Sequence, residues 1–544
     1  MTNAIRFGVS VAALIAAGPL FAQATTPAAC VGVSGNCSVI DSSGSGNSVA
    51  IDQSGGTGNV SDIVQNGDTL SAAVTQGADG NISNVDQQSS GGASGLSVAV
   101  AQSGGADSIV SQSATGATAG NFSATVNQAG ASASDIAQIS VDSSTFDFVA
   151  NVSQTGDGHS SIITQSDAGG GTNDGNLVAV VEQAGSDNSS DISQLHRDQT
   201  AVVVQSGDGG SSEIDQDGRS NVAVVNQSGT GNSSTIFQSD IGIVGQTAIV
   251  IQQGASNTAS VLQDGRNPGV APDGDNEAVI LQQGSGGTAN ITQNEQARAD
   301  SAVIVQAAPA VDNLGVIIQT GDATPGGADT DNQAVVNQQG GSNNLSGILQ
   351  GNTTLIGGAV DGAESSEATS NQNGDSLFSL IVQGGIDEVA FVDQVGAGNQ
   401  SLVVQGHFGG GSNQAIVNQA GDGGGSTVIQ NSDLNLANVQ QLSGSGNVST
   451  IDQGLVNNTG TGGSGNLAIV SQSGDGNQSV IAQNLLDVGG SNTAGVVQEN
   501  GGNFSSVLQE GSLNIVQVFQ YDGSSSTIVQ SGTGNFATVT QGTP

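Results

Sequence analysis

Three histidines, two cysteines and 47 carboxylates are the residues of this 544-residue chain that could do chemistry. His159, His196 and His407 stand far apart, and none has a metal-ligand partner at a useful spacing. Each reads as a solvent-facing turn or strand residue. No G-x-S-x-G elbow, H-E-x-x-H pair or Walker loop occurs. The carboxylates fall mostly in turns and on outward strand positions, Asp191, Glu213 and Asp215 among them, and read as a solvated acidic face. A polysaccharide-cleaving pair is the remote alternative. The chain is therefore read as no enzyme. Cys30 and Cys37 flank a short Gly/Ser segment. In an exported protein they close a local N-terminal disulfide; the alternative is two unpaired thiols.

The elements that position these residues are set by a repeat. Asn466 to Gln472 and Asn477 to Gln483 are two copies of one seven-residue phrase around the turn Ser473-Gly-Asp-Gly476. Alternate residues of a strand share a face, so Asn466, Ala468, Val470 and Gln472 form one set and Asn477, Ser479, Ile481 and Gln483 another. From Gln53 to Gln541, 39 phrases can be anchored on the terminal glutamine, and in 38 of them the residue two before it is Val or Ile. Such regularity marks an inward core position. Four before the glutamine, phrases alternate: all twenty of one kind carry Ala or Val, and sixteen of nineteen of the other carry Ser. Ala259, Ala289 and Gly315 are the exceptions. The repeat is therefore a strand-turn-strand pair of about 22 residues.

Steps from the first kind to the second run from 10 to 13 residues and the reverse steps from 11 to 22, so insertions collect at one edge. Strand pairs stacked at ~4.8 Å give an all-β, two-sheet, cross-β solenoid, and about twenty coils would extend roughly 90 Å. Asn and Gln at the strand ends, such as Asn221, Gln227, Asn232, Gln238, Asn535 and Gln541, are expected to form amide ladders. Three before the glutamine, on the outward face, Val180, Val202, Val224, Ile249, Val279, Val303 and Val335 recur as an apolar strip suited to lateral association or adhesion.

Arg6, the apolar run Val9 to Leu20 and Ala22-Gln-Ala24 read as a secretory signal over residues 1–24. Residues 25–46 read as a leader or cap holding both cysteines, 47–541 as the repeat solenoid and 542–544 as a tail. Without the signal, four arginines face 47 acids, a formal charge of −43. Such a chain repels nucleic acid and anionic membrane, and no segment is long enough for membrane insertion. Arg197, Arg219, Arg266 and Arg298 all follow strands of the second kind in one region, where they could pair with neighbouring acids. Gly207-Asp-Gly-Gly210 and Gly421-Asp-Gly-Gly-Gly425 are similar to the calcium-binding nonapeptide turns of other coils, but the period here is 11 rather than nine. No cofactor is expected beyond weak calcium association at the acidic edge.

The phrase Asn-x5-Gln, a Gly-rich turn and Asn-x5-Gln again resembles the curlin repeat of bacterial curli fibre subunits. The resemblance covers nearly all of residues 47–541, with Asn535 to Gln541 a clean copy. It implies a functional amyloid: a secreted, extracellular cell-surface fibre subunit that polymerises with itself and with related subunits, served by secretion and nucleation machinery. Adhesion and biofilm matrix are the implied roles, and the stacked positions Asn466, Gln472, Asn477 and Gln483 match the fibre-forming contacts. The alternative is a monomeric, acidic, calcium-associated adhesin rod.

Overall fold

The computed structural model describes all residues except 1–25, 91–94, 116–119, 141–145, 168–174, 240–244, 265–275, 295–299, 321–330, 352–364, 407–410, 455–463, 485–489 and 544. Residues 1–24, read as a signal, and His407, Arg266 and Arg298 thus lie outside the described residues. The described chain is all-β apart from one 3-10 turn, Ala28–Cys30. Each phrase of the repeat is one strand, Leu467–Gln472 and Gln478–Gln483 for example. Successive strands alternate between two parallel sheets, called here the alanine sheet and the serine sheet after the residue four before each glutamine. Pairing is in register, so Gln205, Gln227 and Gln252 stand side by side, as do Gln216, Gln238 and Gln263.

Two compact units divide the chain, Met1–Asp191 and Ile192–Pro544, and each is a two-sheet β-solenoid. The first unit begins earlier than residue 47. Cys37–Ser43 is a strand of the serine sheet paired with Val60–Asn66, so the leader shrinks to the residues before it. Ser42 occupies the glutamine position of that strand, opposite Gln65. A reading anchored on glutamine therefore passes over it. The Cys30–Cys37 disulfide ties the 3-10 turn to the start of this strand.

In both units the inward face takes four positions per strand. Ala223, Val225, Ser234 and Ile236 are buried, as are the flanking Asn221, Gln227, Asn232 and Gln238. Small residues in the second position let the sheets approach closely. Gly315 is the extreme: a Cβ there would come within 2.9 Å of the Ile304 methyl. Most of the described strands are entered through a left-handed residue, which reverses the chain toward the opposite sheet. Gly476 before Asn477 has φ +65 and Asp187 before Asn188 has φ +55. Leu434 and Leu513 take the same conformation at φ +58 without the benefit of a small or turn-forming side chain.

The units differ at the first inward position of the alanine sheet. In the second unit it is amide-rich, with Asn221, Asn276, Asn332, Asn413, Asn466 and Asn535. In the first, Asn47 is followed by an apolar column, Leu70, Leu96, Phe122, Phe148 and Leu177, all five buried. Phe122 and Phe148 stack with centroids 4.6 Å apart and planes at 15°. Large side chains, which the repeat does not require, thus fill one column of the first unit.

Candidate assembly surfaces

The glutamine ladders are built from side chains that bond in two directions. Gln227 Nε2 donates 2.7 Å to Gln252 Oε1 in the following coil and 3.0 Å to the Ser211 carbonyl in the other sheet. Gln238 does the same toward Gln263 and the Val222 carbonyl. Gln472 reaches Gln498 and the Val448 carbonyl, and Gln483 reaches Gln509 and the Leu467 carbonyl. One hydrogen of each amide runs along the stack and the other staples the two sheets. Burial without these bonds would be strongly unfavourable.

The asparagines act differently from the expected chain of side chains bonded to their copies. The dominant bond runs from the backbone N–H of the next coil to Asn Oδ1, as from Asn257 to Asn232, from Gln246 to Asn221 and from Asn492 to Asn466. The amide nitrogen turns back to the carbonyl four residues earlier, as in Asn232 to Ser228 and Asn477 to Ser473. Side chain-to-copy bonds occur at some rungs, Asn503 to Asn477 and Asn535 to Asn514 among them. The asparagines are thus turn clamps whose acceptor is shared with the neighbouring coil.

Turn aspartates add a third coil-to-coil contact. Asp422 Oδ1 accepts 2.8 Å from the Ala397 N–H, and Asp475 Oδ1 accepts 2.8 Å from Ser445 N–H. Asp68 accepts from the backbone and hydroxyl of Ser45, which holds its carboxyl below the usual range. The acidic turns are therefore structural as well as solvated.

All ladders share one sense. In each unit the glutamine Nε2 donates toward the next coil, from Gln53 to Gln76 and from Gln520 to Gln541. Among the described residues, the ladder thus begins at Gln53, whose Oε1 receives no glutamine amide, and ends at Gln541, whose Nε2 donates to no further glutamine. The strand Cys37–Ser43 pairs only with Val60–Asn66, and Phe536–Gln541 only with Ile515–Tyr521, among the described residues. Val529 and Phe536 of the last coil are each 66% exposed.

The expected apolar strip lies on the outer face of the alanine sheet. Val202, Val224, Ile249, Val279, Val303 and Val335 form one unbroken column in the second unit, each half-buried. Val180 belongs to the first unit and stands opposite Asn151. A second apolar area, not anticipated, covers the outer face of the serine sheet. Leu314, Leu345 and Phe378 share a column there, as do Leu380 with Leu402 and Ile318 with Leu349 and Ile429, the last column also holding Val382 and Val404, which are buried. The polar residues Glu213 and Thr235 stand level with each other on that sheet, at the beginning of the second unit, and Asp191 is the last residue of the first.

Two of the histidines lie in the described residues, with different fates. His196 is half-exposed, with Nδ1 2.8 Å from Asp217 Oδ1. His159 is 1% exposed, so it is no solvent-facing residue: it occupies the asparagine column of the serine sheet. Arg197 and Arg219 are half-exposed and form no ion pair with a described carboxylate. Asp107 and Asp135 line a groove on the serine sheet of the first unit beside Ile109 and Ile162, and burial pushes both carboxyls up. The register sets them in different columns, Asp107 level with Ala133 and Asp135 level with Ile109. Among the described residues no group of three or more His, Cys, Asp or Glu could hold a metal ion, and no helix is long and apolar enough to cross a membrane. The chain matches no family model and no curated protein.

Proposed function

We propose that this chain is a secreted, curlin-like structural protein that assembles end to end into extracellular fibres serving adhesion and biofilm matrix. The observation that carries the proposal is the polarity of the ladders. A terminal coil that offers amide donors and another that offers amide acceptors are complementary, so a second copy can extend the stack with the bonds used within it. The mechanism is templated backbone pairing, with Gln541 Nε2 of one copy meeting Gln53 Oε1 of the next. The strip from Val202 to Val335 then gives such fibres an uncharged face for lateral contact.

The test is negative-stain imaging with thioflavin fluorescence of the chain from Thr25 onward, over a day at moderate salt. Unbranched fibres with a ~4.8 Å axial repeat are expected. Replacing the donors, as in Gln530→Glu with Gln541→Glu, should slow elongation while leaving the folded coils intact. Persistent single particles from the unaltered chain would overturn the proposal. If calcium then raised their thermal stability, the monomeric adhesin rod would replace it.

A further inference from the structure

Position 159 is the one place in the described serine-sheet column where an ionisable ring stands in for asparagine. An ordinary member of the column makes two bonds. Asn232 Nδ2 donates 2.9 Å to the carbonyl four residues back, at Ser228, and Asn232 Oδ1 accepts 3.0 Å from the backbone N–H of Asn257 in the next coil. His159 reproduces both with its imidazole. Nε2 lies 3.1 Å from the Thr155 carbonyl, four residues back, and Nδ1 lies 3.3 Å from the Asn188 backbone N–H.

Only one protonation state serves both contacts. The carbonyl requires a proton on Nε2, and the backbone N–H requires a bare Nδ1. A second proton would settle on Nδ1, directly opposite a donor. The Asn188 N–H would lose this acceptor, and a cation would sit in a column sealed from water. No described carboxylate bonds the ring to offset that charge. Asp157, at the end of the strand before the turn, accepts from Ala131 N–H. Asp187 precedes Asn188 in the next turn and projects toward Gly158. On the strands packed against this coil, Asp135, Glu182 and Asp191 point outward from the sheets. None of them bonds the ring.

We infer that His159 is an acid-sensitive latch in the first unit. In the neutral state it clamps the turn Asp157–Ser160 and holds the following coil through Asn188. In acid the protonated ring is accommodated only when the coil opens and water reaches it, so acid favours opening there. The asparagine rungs have no titrating group and stay closed under the same conditions. Opening would free the edge of the strand Ser160–Asp167, making this the coil at which acid exposes unpaired backbone.

Hydrogen exchange of the full chain, corrected for the intrinsic pH dependence of exchange, tests this between pH 7.5 and 4.5. Peptides spanning 155–167 and 184–190 should lose at least about tenfold in protection at the acid end of this range, while peptides spanning 211–238 keep theirs. His159→Asn restores the usual residue of the column and should abolish the loss. An equal loss in the variant, or none in the unaltered chain, would overturn the inference. Should the variant fail to fold, imidazole ¹⁵N shifts of the unaltered chain decide. Nδ1 is expected to be bare at neutral pH and to take its proton together with the loss of protection. Loss of protection with Nδ1 still bare, or a proton on Nδ1 at neutral pH, would sink the latch.

Discussion

Glu388 occupies the asparagine column of the alanine sheet with a longer side chain and an acid. Its two carboxyl oxygens accept from the Asn413 backbone N–H at 3.2 Å and from Asn413 Nδ2 at 3.0 Å, and the residue is fully buried. Burial pushes this carboxyl up from 4.5 to about 8, and the nearby Asp433 and Asp387 charges push the same way, against the Asn413 bonds. The folded chain therefore keeps a proton across that window that the unfolded chain releases. Stability contributed here is complete below pH 4.5 and is lost as pH rises through about 8. The loss should be on the order of a few kcal/mol. Glu388→Gln keeps an acceptor of the same length and should flatten the dependence, read as exchange protection of residues 366–435 at pH 5 and pH 8.5. A variant as pH-sensitive as the parent would refute the assignment. Neither Glu388 nor His159 announces itself in sequence. Each sits at the Asn position of a phrase, which varies more than the terminal glutamine, and burial of an unusual residue at the strand start is a property of the stacked column.

At the scale of the element, strands are legible because one physical rule applies at every rung. A two-sided parallel strand with one face against its partner sheet needs small and β-branched residues at fixed alternate positions. Hence pairs like Ala223 and Val225, or Ser234 and Ile236, recur along nearly the whole repeat. The outward faces obey no such rule, and their columns depend on which strands are neighbours. The alanine-sheet strip was visible because consecutive strands repeat Val or Ile at one position. The serine-sheet area was not, since Leu314, Leu345 and Phe378 come together only through the register. Val224→Lys with Val279→Lys places two cations within the alanine-sheet strip without touching the core. Fibres of this variant should remain single where those of the parent associate side by side, with elongation rate unchanged. Widths measured by electron microscopy check this; unaltered bundles would show that the strip takes no part.

At the scale of the whole molecule, net charge opposes the association proposed above. A formal −43 on residues 25–544 makes copies repel one another, and that repulsion is screened over ~10 Å at 0.1 M salt. Raising salt from about 10 mM to 150 mM should therefore shorten the lag and speed fibre growth, by light scattering or thioflavin. Unchanged or slower growth would remove electrostatics from the account. The sequence by itself determined the all-β class, the strand-turn-strand unit, the two kinds of strand and the glutamine ladders. Each of these follows from short-range periodicity, which a chain cannot alter without losing its core. Tertiary structure decided what depends on stacking. It set the first strand at Cys37, which lacks the terminal glutamine. It gathered Leu70, Leu96, Phe122, Phe148 and Leu177 into one apolar column, and gave the asparagines a backbone N–H of the next coil as partner. It also buried His159 in a column of amides. A residue's neighbours along the stack lie some twenty or more positions away in the chain, and their identity is fixed by register alone.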